Sequence, residues 1–269
     1  MKSQKKLLLA VLFTFLLLAG TGIWFVRQEM QRVRLYYIIP QGASDLRAAV
    51  TSFRDRYHAL PGDMPNAAAE VPGCKKYGTA CNPWRKTAGN GIIGDPIFSK
   101  MWKSQVTSKT TVPAASAADE TVLFWTHLMF ANFLGCVSND SLKNNTPVAW
   151  HVTHCAAPLF EDTGYIVGHS DGSPFPRELS PASDGLKGPV LVLITGSVLR
   201  GEAKMNEVNK QPLTPHEAMV IDKKMDDAKP SSGKVQAYGA SDCFAEKDGI
   251  SVYNEATSMR VCGLVFQID

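Results

Sequence analysis

Residues 46–67, LRAAVTSFRDRYHALPGDMPNA, decide how this chain folds. Four apolar residues, Leu46, Val50, Phe53 and Tyr57, recur at steps of four, three and four, which places them on one face of a helix. The Pro-Gly pair that follows ends that helix. Because an apolar helical face must be covered, the pattern predicts a helix that packs on a sheet.

Upstream lies an uncharged apolar run, Leu7–Val26, which reads LLLAVLFTFLLLAGTGIWFV. A helix of about 20 apolar residues crosses the roughly 30 Å hydrocarbon core of a bilayer. Lys2, Lys5 and Lys6 precede the run, so the positive-inside rule places the N-terminus in the cytoplasm. The sequence therefore predicts a single-pass protein of the bacterial inner membrane, with its C-terminal domain periplasmic or extracellular.

A cleaved signal peptide is the alternative interpretation of this run. It also has a basic start, an apolar centre and small residues at Ala19–Gly22. The apolar run continues through Phe25, beyond the length at which such signals usually stop, and this favours a retained anchor. Both interpretations export the rest of the chain.

The sequence divides into four parts. Residues 1–6 are a basic leader, residues 7–26 the membrane helix, residues 27–60 an extension of that helix with a break near Pro40, and residues 61–269 a globular head. Hydrophobic residues make up 45% of the chain, which is enough for a single core. The net charge of +3 is mild, and we expect no nucleic-acid partner.

The head is predicted to be α+β, with the N-terminal helix packed on an antiparallel sheet and with short extra helices and long loops. A buried helix is expected at Thr121–Leu134, and a capping box at Thr214–Glu217 starts another. Runs of β-forming residues predict strands at Val148–Val152, Tyr165–Val167, Val190–Thr195, Lys234–Tyr238, Ile250–Tyr253 and Arg260–Ile268.

The six cysteines indicate disulfide bonds, because oxidising conditions prevail outside the cytoplasm. Six cysteines allow fifteen pairings, which a sequence alone does not resolve. Short loop closures favour three pairs: Cys74 with Cys81, Cys136 with Cys155, and Cys243 with Cys262.

Two groups of residues resemble metal ligands. His151, His154 and Cys155 form HxxHC, but in a strand the two histidines would point to opposite faces, which argues against zinc. Asp222, Asp226 and Asp227 offer oxygen ligands for Ca²⁺, although lysines flank them and the spacing is not that of an EF-hand. A solvated charged turn is the favoured interpretation of these aspartates, so calcium stays a weak candidate.

No arrangement of residues predicts catalysis. The segment Gly168–Gly172 holds a His, a Ser and an Asp in a row, but adjacent side chains do not converge as a triad does, and GxSxG is absent. We interpret it as a turn. The chain is therefore not expected to be an enzyme.

Five blocks of the sequence resemble prepilin-type proteins, the family of type IV pilins and type II secretion pseudopilins. In order they are FRDRYHALPGDMPNA, NGIIGD, LFWTHLMFANFLG, LTPHEAMVIDKKMDDAKPSSGKVQA and RVCGLVFQID. The resemblance implies a pilin-like fold, a C-terminal loop enclosed by a Cys243–Cys262 bridge, and a structural subunit that contacts other pilins, pseudopilins or secretion machinery. Calcium in a C-terminal loop also occurs in that class.

The chain departs from the family in two places. No glycine precedes Leu7, and no glutamate lies within residues 7–26, where the family carries its processing site and a buried acidic residue. Ala228 stands where the family tends to have a glycine. The first departure supports an alternative function, in which the pilin-like head is a membrane-anchored binding or adhesion domain that is neither processed nor polymerised.

Overall fold

The computed structural model describes residues 19–23, 25–26, 29–30, 34–94, 119–135, 150–151, 163–172, 185–199 and 202–268. Within these ranges the chain is α+β. One helix covers a five-stranded antiparallel sheet, and a two-stranded hairpin lies beside it. The predicted class and the antiparallel sheet are confirmed.

The helix that covers the sheet, α1, spans Ile39–Tyr57 and follows a five-residue π-helix at Arg34–Ile38. Pro40 lies in the first turn of α1, where its missing amide hydrogen has no helical partner to lose. At the other end, His58 adopts the left-handed conformation (φ 53°), and its backbone N–H donates to the Arg54 carbonyl. Pro40 therefore stands where the π-helix meets α1.

The described parts of the predicted membrane segment are helical at residues 19–23 and 25–26. Residues 7–18 and Trp24 lie outside the described residues. Among the residues that are described, no helix combines the length and hydrophobicity needed to cross a bilayer.

Seven strands are present in the described chain. Five of them pair in the order β1-β2-β3-β7-β4, and β5 pairs with β6. Every pair is antiparallel. Their bounds are Trp150–His151 (β1), Thr163–Asp171 (β2), Lys187–Thr195 (β3), Val235–Gly239 (β4), Phe244–Lys247 (β5), Ile250–Tyr253 (β6) and Cys262–Gln267 (β7).

Four further helices connect these strands and the loops. Among the described residues after α1 they are α2 at Ala67–Glu70, α3 at Glu120–Phe130, α4 at Gly196–Leu199 and α5 at Pro215–Met225, and short 3₁₀ turns occupy Pro72–Lys76, Gly78–Cys81 and Ser241–Cys243. Asp119 caps α3 by accepting a hydrogen bond from the Thr121 amide. At α5 the predicted capping box is formed between Thr214 and Glu217. The buried helix α3 ends at Phe130, four residues earlier than predicted.

The sheet has an apolar layer on each face because its strands alternate. Leu191 and Leu193 of β3 belong to the larger core, which also contains α1. Val190 and Val192 of the same strand belong to a smaller cluster on the opposite face, which Val198 joins from α4. Both faces of the central strands are therefore buried.

Three of the four residues of the predicted helical stripe are buried in the larger core. Leu46, Val50 and Phe53 are at most 5% exposed, while Tyr57 is half-buried at its edge. Polar bonds also join α1 to the sheet: Arg47 donates to the carbonyl of Gln267 at 2.8 Å. Leu46, Val50 and Phe53 thus share one buried core with residues of the sheet.

Candidate functional site

The three aspartates predicted as weak calcium ligands do come together, at the C-terminal end of α5. We call Asp222, Asp226 and Asp227 the acidic turn; one ligand oxygen from each lies within 4.8 Å of the others. Asp222 is buried, Asp226 is half-buried and Asp227 is exposed. Carboxylate oxygens are the ligands that Ca²⁺ prefers, so the group has the right chemistry for that ion.

Two of these aspartates are already occupied by hydrogen bonds from the following loop. Asp226 Oδ2 accepts from the amides of Lys234 and Val235, the latter at 3.0 Å. Asp227 accepts from the Lys229 amide at 2.9 Å and from the Ser232 hydroxyl at 2.6 Å. These bonds account for the convergence of Asp226 and Asp227 without an ion.

The acidic turn also covers one edge of the sheet. β4 is the last strand on that side, and an uncovered edge strand invites pairing with another chain. Two backbone amides of β4 donate hydrogen bonds to this turn and the residues after it. The Val235 amide donates to the Asp226 carboxylate, and the Ala237 amide donates to the Pro230 carbonyl at 2.9 Å. The turn therefore has a structural role, whereas the sequence favoured a solvated charged turn.

Asp222 differs from its two neighbours because its carboxylate is buried. Burial is the main cause that raises the pKa of Asp222 to about 7, and the charges of Asp227 and Asp226 raise it further. The Tyr253 hydroxyl, 2.8 Å from Oδ2, opposes that rise. The other oxygen, Oδ1, has no hydrogen-bond partner. An acid in this setting takes up a proton near neutral pH.

Ala228, directly after the acidic turn, lies in the left-handed region with φ of 62°. Alanine reaches this conformation only with strain, because its Cβ approaches the following carbonyl. The sequence alone identified this position as one where glycine is the usual residue of the resembling family. The structure supplies the physical reason.

A second candidate site is an open cleft at the C-terminal end of α1. Its volume is about 940 Å³, and its walls include Arg54, His58, Asp63, His169 and Pro189. Asp63 is not available as a ligand, because its carboxylate accepts from the amides of Gly89, Asn90 and Gly91 at 2.5–3.2 Å. Burial nevertheless raises the pKa of Asp63 above its usual value. The carboxylate holds the loop that forms the cleft wall.

His127 lies behind this cleft and ties three segments together. The amide of Gly62 donates to Nδ1 at 2.9 Å, so Nε2 carries the proton that bonds the Cys81 carbonyl at 2.7 Å. Burial lowers the pKa of His127 to about 4. The ring is therefore a neutral structural bridge, and both of its nitrogens are used.

The turn predicted at residues 168–172 is wrong. β2 runs through Asp171, so the expected turn is the end of a strand. Successive side chains of a strand point to opposite faces, which separates His169 from Ser170. Gly172, with φ of 87°, directly follows the strand.

Two of the three predicted disulfides are formed. Cys74 is bonded to Cys81, and Cys243 to Cys262. Cys136 and Cys155 lie outside the described residues, as does His154, one of the residues considered for zinc. His151 lies in the two-residue strand β1.

Comparisons with models of protein families, with curated proteins and with solved structures find no match for this chain.

Proposed function

We propose that the chain is a membrane-anchored structural subunit, either a minor pilin or a pseudopilin, of a type IV pilus or a type II secretion pseudopilus-like assembly. The observation that carries the proposal is the packing of α1 on the antiparallel sheet through Leu46, Val50 and Phe53. That packing is the layout the resemblance implies for a pilin-like head. In such a subunit the N-terminal helix and the head work by contact and not by catalysis.

The proposed topology follows from the sequence. Leu7–Val26 anchors the chain in the bacterial inner membrane, with residues 1–6 in the cytoplasm and the head in the periplasm or outside the cell. The disulfides Cys74–Cys81 and Cys243–Cys262 support an exported head, because such bonds persist mainly in oxidising compartments. Partners would be other pilin or pseudopilin subunits or the secretion machinery. The proposal includes neither a nucleic-acid partner nor an enzymatic activity.

A second candidate function is a membrane-anchored binding or adhesion domain that keeps the pilin-like head without assembly. The absence of an acidic residue from residues 7–26 favours it. In the resembling family, the buried glutamate of the helix needs a partner charge in the filament, and it therefore acts as an assembly device. Without that device the head can bind a target while the chain remains a monomer in the membrane.

One experiment separates the two candidates. The full chain is co-expressed with a prepilin peptidase from the same cell, its intact mass is measured, and its neighbours are identified by crosslinking in membranes. A shortened mass together with a pilin-type neighbour supports the subunit. An unchanged mass without such a neighbour contradicts it.

A positive control is available in the chain itself. The double variant Lys6→Gly with Val11→Glu places a glycine before Leu7 and a glutamate at the fifth position of the apolar run, as the family has them. If the peptidase is active, this variant is expected to be shortened. Failure of the native chain to be cut is then a property of its sequence and not of the assay.

A further inference from the structure

The loop between α1 and α3 presents a basic surface around one exposed aromatic residue. We call residues 71–94 the stapled loop, because the Cys74–Cys81 disulfide lies within it. Lys75, Lys76, Arg85 and Lys86 are all exposed, and Trp84 is 56% exposed. The loop contains no acidic residue, so it carries +4, while the rest of the +3 chain carries a net charge of −1.

These cations are not neutralised within the described chain. No salt bridge to a described residue forms at any of the four, whereas His216 and Glu255 do pair elsewhere on the surface, at 2.6 Å. We call these four cations and Trp84 the patch. Its two halves, Lys75 with Lys76 and Trp84 with Arg85 and Lys86, are close in space because the Cα atoms of Cys74 and Cys81 are 5.6 Å apart. Lys75 is one residue from Cys74 and Trp84 is three residues from Cys81. At 3.8 Å per residue, the Cα atoms of Lys75 and Trp84 are therefore at most about 20 Å apart.

The stapled loop is held in place rather than free. Its 3₁₀ turn at Gly78–Cys81 ends at Cys81, whose carbonyl accepts a hydrogen bond from His127. The Tyr77 ring stacks on Phe130 with centroids 4.8 Å apart. The Trp84 carbonyl accepts from the amides of Thr87 and Ala88, both at 3.0 Å. A fixed loop that leaves an indole in water has already lost the conformational entropy that binding would otherwise remove.

The basic surface lies near the C-terminal end of α1. Phe53, near the C-terminal end of α1, stacks on His127, which in turn bonds Cys81. Phe53 follows Ile39, the first residue of α1, by 14 residues, which is about 21 Å along the helix axis.

We infer that the stapled loop is a docking surface for an acidic protein segment. Trp84 would supply the apolar anchor, and Lys75, Lys76, Arg85 and Lys86 the complementary charge. An extended segment of about six residues spans about 20 Å, which is close to the upper limit of the distance between Lys75 and Trp84. Single-stranded nucleic acid is less suited, because its binders stack several bases on several aromatic residues, and only one aromatic residue of this loop is largely exposed. The inference stands beside the proposed function and does not depend on assembly.

The test uses the full chain in detergent and a fluorescein-labelled deca-glutamate peptide with a C-terminal leucine. Fluorescence anisotropy is expected to show binding that weakens by about tenfold or more in Lys75→Glu with Lys76→Glu. Trp84→Ala should weaken it by about tenfold as well, as the loss of a central aromatic residue does. Raising the salt to about 1 M, where charges are screened beyond roughly 3 Å, should abolish the binding.

Matched variants control for net charge and for exposed apolar area. Lys210→Glu with Lys247→Glu changes the net charge equally at exposed lysines outside the loop, and Ile250→Ala removes another exposed apolar side chain. Both should bind the peptide as the native chain does. The inference is overturned if no peptide binding occurs, if the control pair weakens it equally, or if labelled deca-thymidylate or anionic vesicles added as competitors bind the patch more tightly.

Discussion

The Tyr253 hydroxyl donates a hydrogen bond of 2.8 Å to Oδ2 of Asp222, so the most buried carboxylate of the acidic turn is bonded to a neutral group and not to a cation. The pair joins α5 to β6, and Tyr253 is itself only 6% exposed. Burial also raises the pKa of Tyr253 well above its usual value. The ionised Asp222 is therefore held at a cost in free energy.

Replacing Asp222 by Asn is expected to stabilise the protein at pH 8. An acid whose pKa is raised in the folded state destabilises that state once it is ionised, and the penalty grows as pH rises from the unfolded value, near 4, to the folded value of about 7. The gap in unfolding free energy between variant and native chain should therefore widen with pH in this window. Urea titrations at several pH values measure it.

Asp55→Asn is the control, because Asp55 is exposed on α1. The difference in unfolding free energy between Asp55→Asn and the native chain should not widen with pH. A gap for Asp222→Asn that narrows as pH rises, or a variant that is less stable throughout the window, would show that the buried carboxylate is stabilised by its surroundings.

Ala228→Gly is expected to stabilise the protein by about 0.5–1 kcal/mol, because glycine adopts a φ of 62° without strain. Ala48→Gly, at an exposed position within α1, should instead destabilise it by about 1 kcal/mol. Both values come from urea midpoints with an unchanged m-value. Destabilisation by both substitutions would show that the turn after Asp227 is not strained.

Removing the Cys243–Cys262 bridge should destabilise the head more than removing Cys74–Cys81. The bridges close loops of 19 and 7 residues, and loop entropy then predicts losses of about 3 and about 2 kcal/mol. Double Cys→Ser variants of the oxidised protein, compared in guanidinium, give both numbers. The reverse order would mean that the larger loop is already restricted in the unfolded chain.

Phe53→Ala should destabilise the protein by about 3–5 kcal/mol, because it leaves a cavity where the buried ring packs against His127 and Phe133. Ser52→Ala, one position away on the exposed face, should change the stability by less than about 0.5 kcal/mol. Calorimetry or denaturant unfolding distinguishes them. Similar effects for the two variants would show that α1 does not contribute its stripe to the core.

Local patterns predicted much of this structure from the sequence. The stripe of α1, the capping box of Thr214 and Glu217, and the two short-range disulfides depend on residues close together in the chain. Each can therefore be recognised without knowledge of the fold. The strain at Ala228 was also visible as a departure from an expected glycine.

Contacts between distant residues explain the features that were missed or misplaced. The end of β2 looks like a turn, but Ser170 pairs with Gly188 across the sheet, and that pairing extends the strand. Asp63 binds amides 26 to 28 residues away, a relation that no local pattern carries. Of the hairpin β5–β6, only β6 was predicted from the sequence. Strand β5 was missed, although Asp248-Gly249, both at positive φ, is a standard signal for a two-residue turn between two strands.

In the proposed subunit, the N-terminal helix brings this chain into contact with pilin-type neighbours. A photo-crosslinking amino acid at position 30, where Met30 is 54% exposed, tests it in cell membranes most directly. We expect an adduct between this chain and a protein that carries a prepilin-type N-terminal segment, as identified by mass spectrometry. Crosslinks to lipid alone, or only to proteins without such a segment, would contradict the claim.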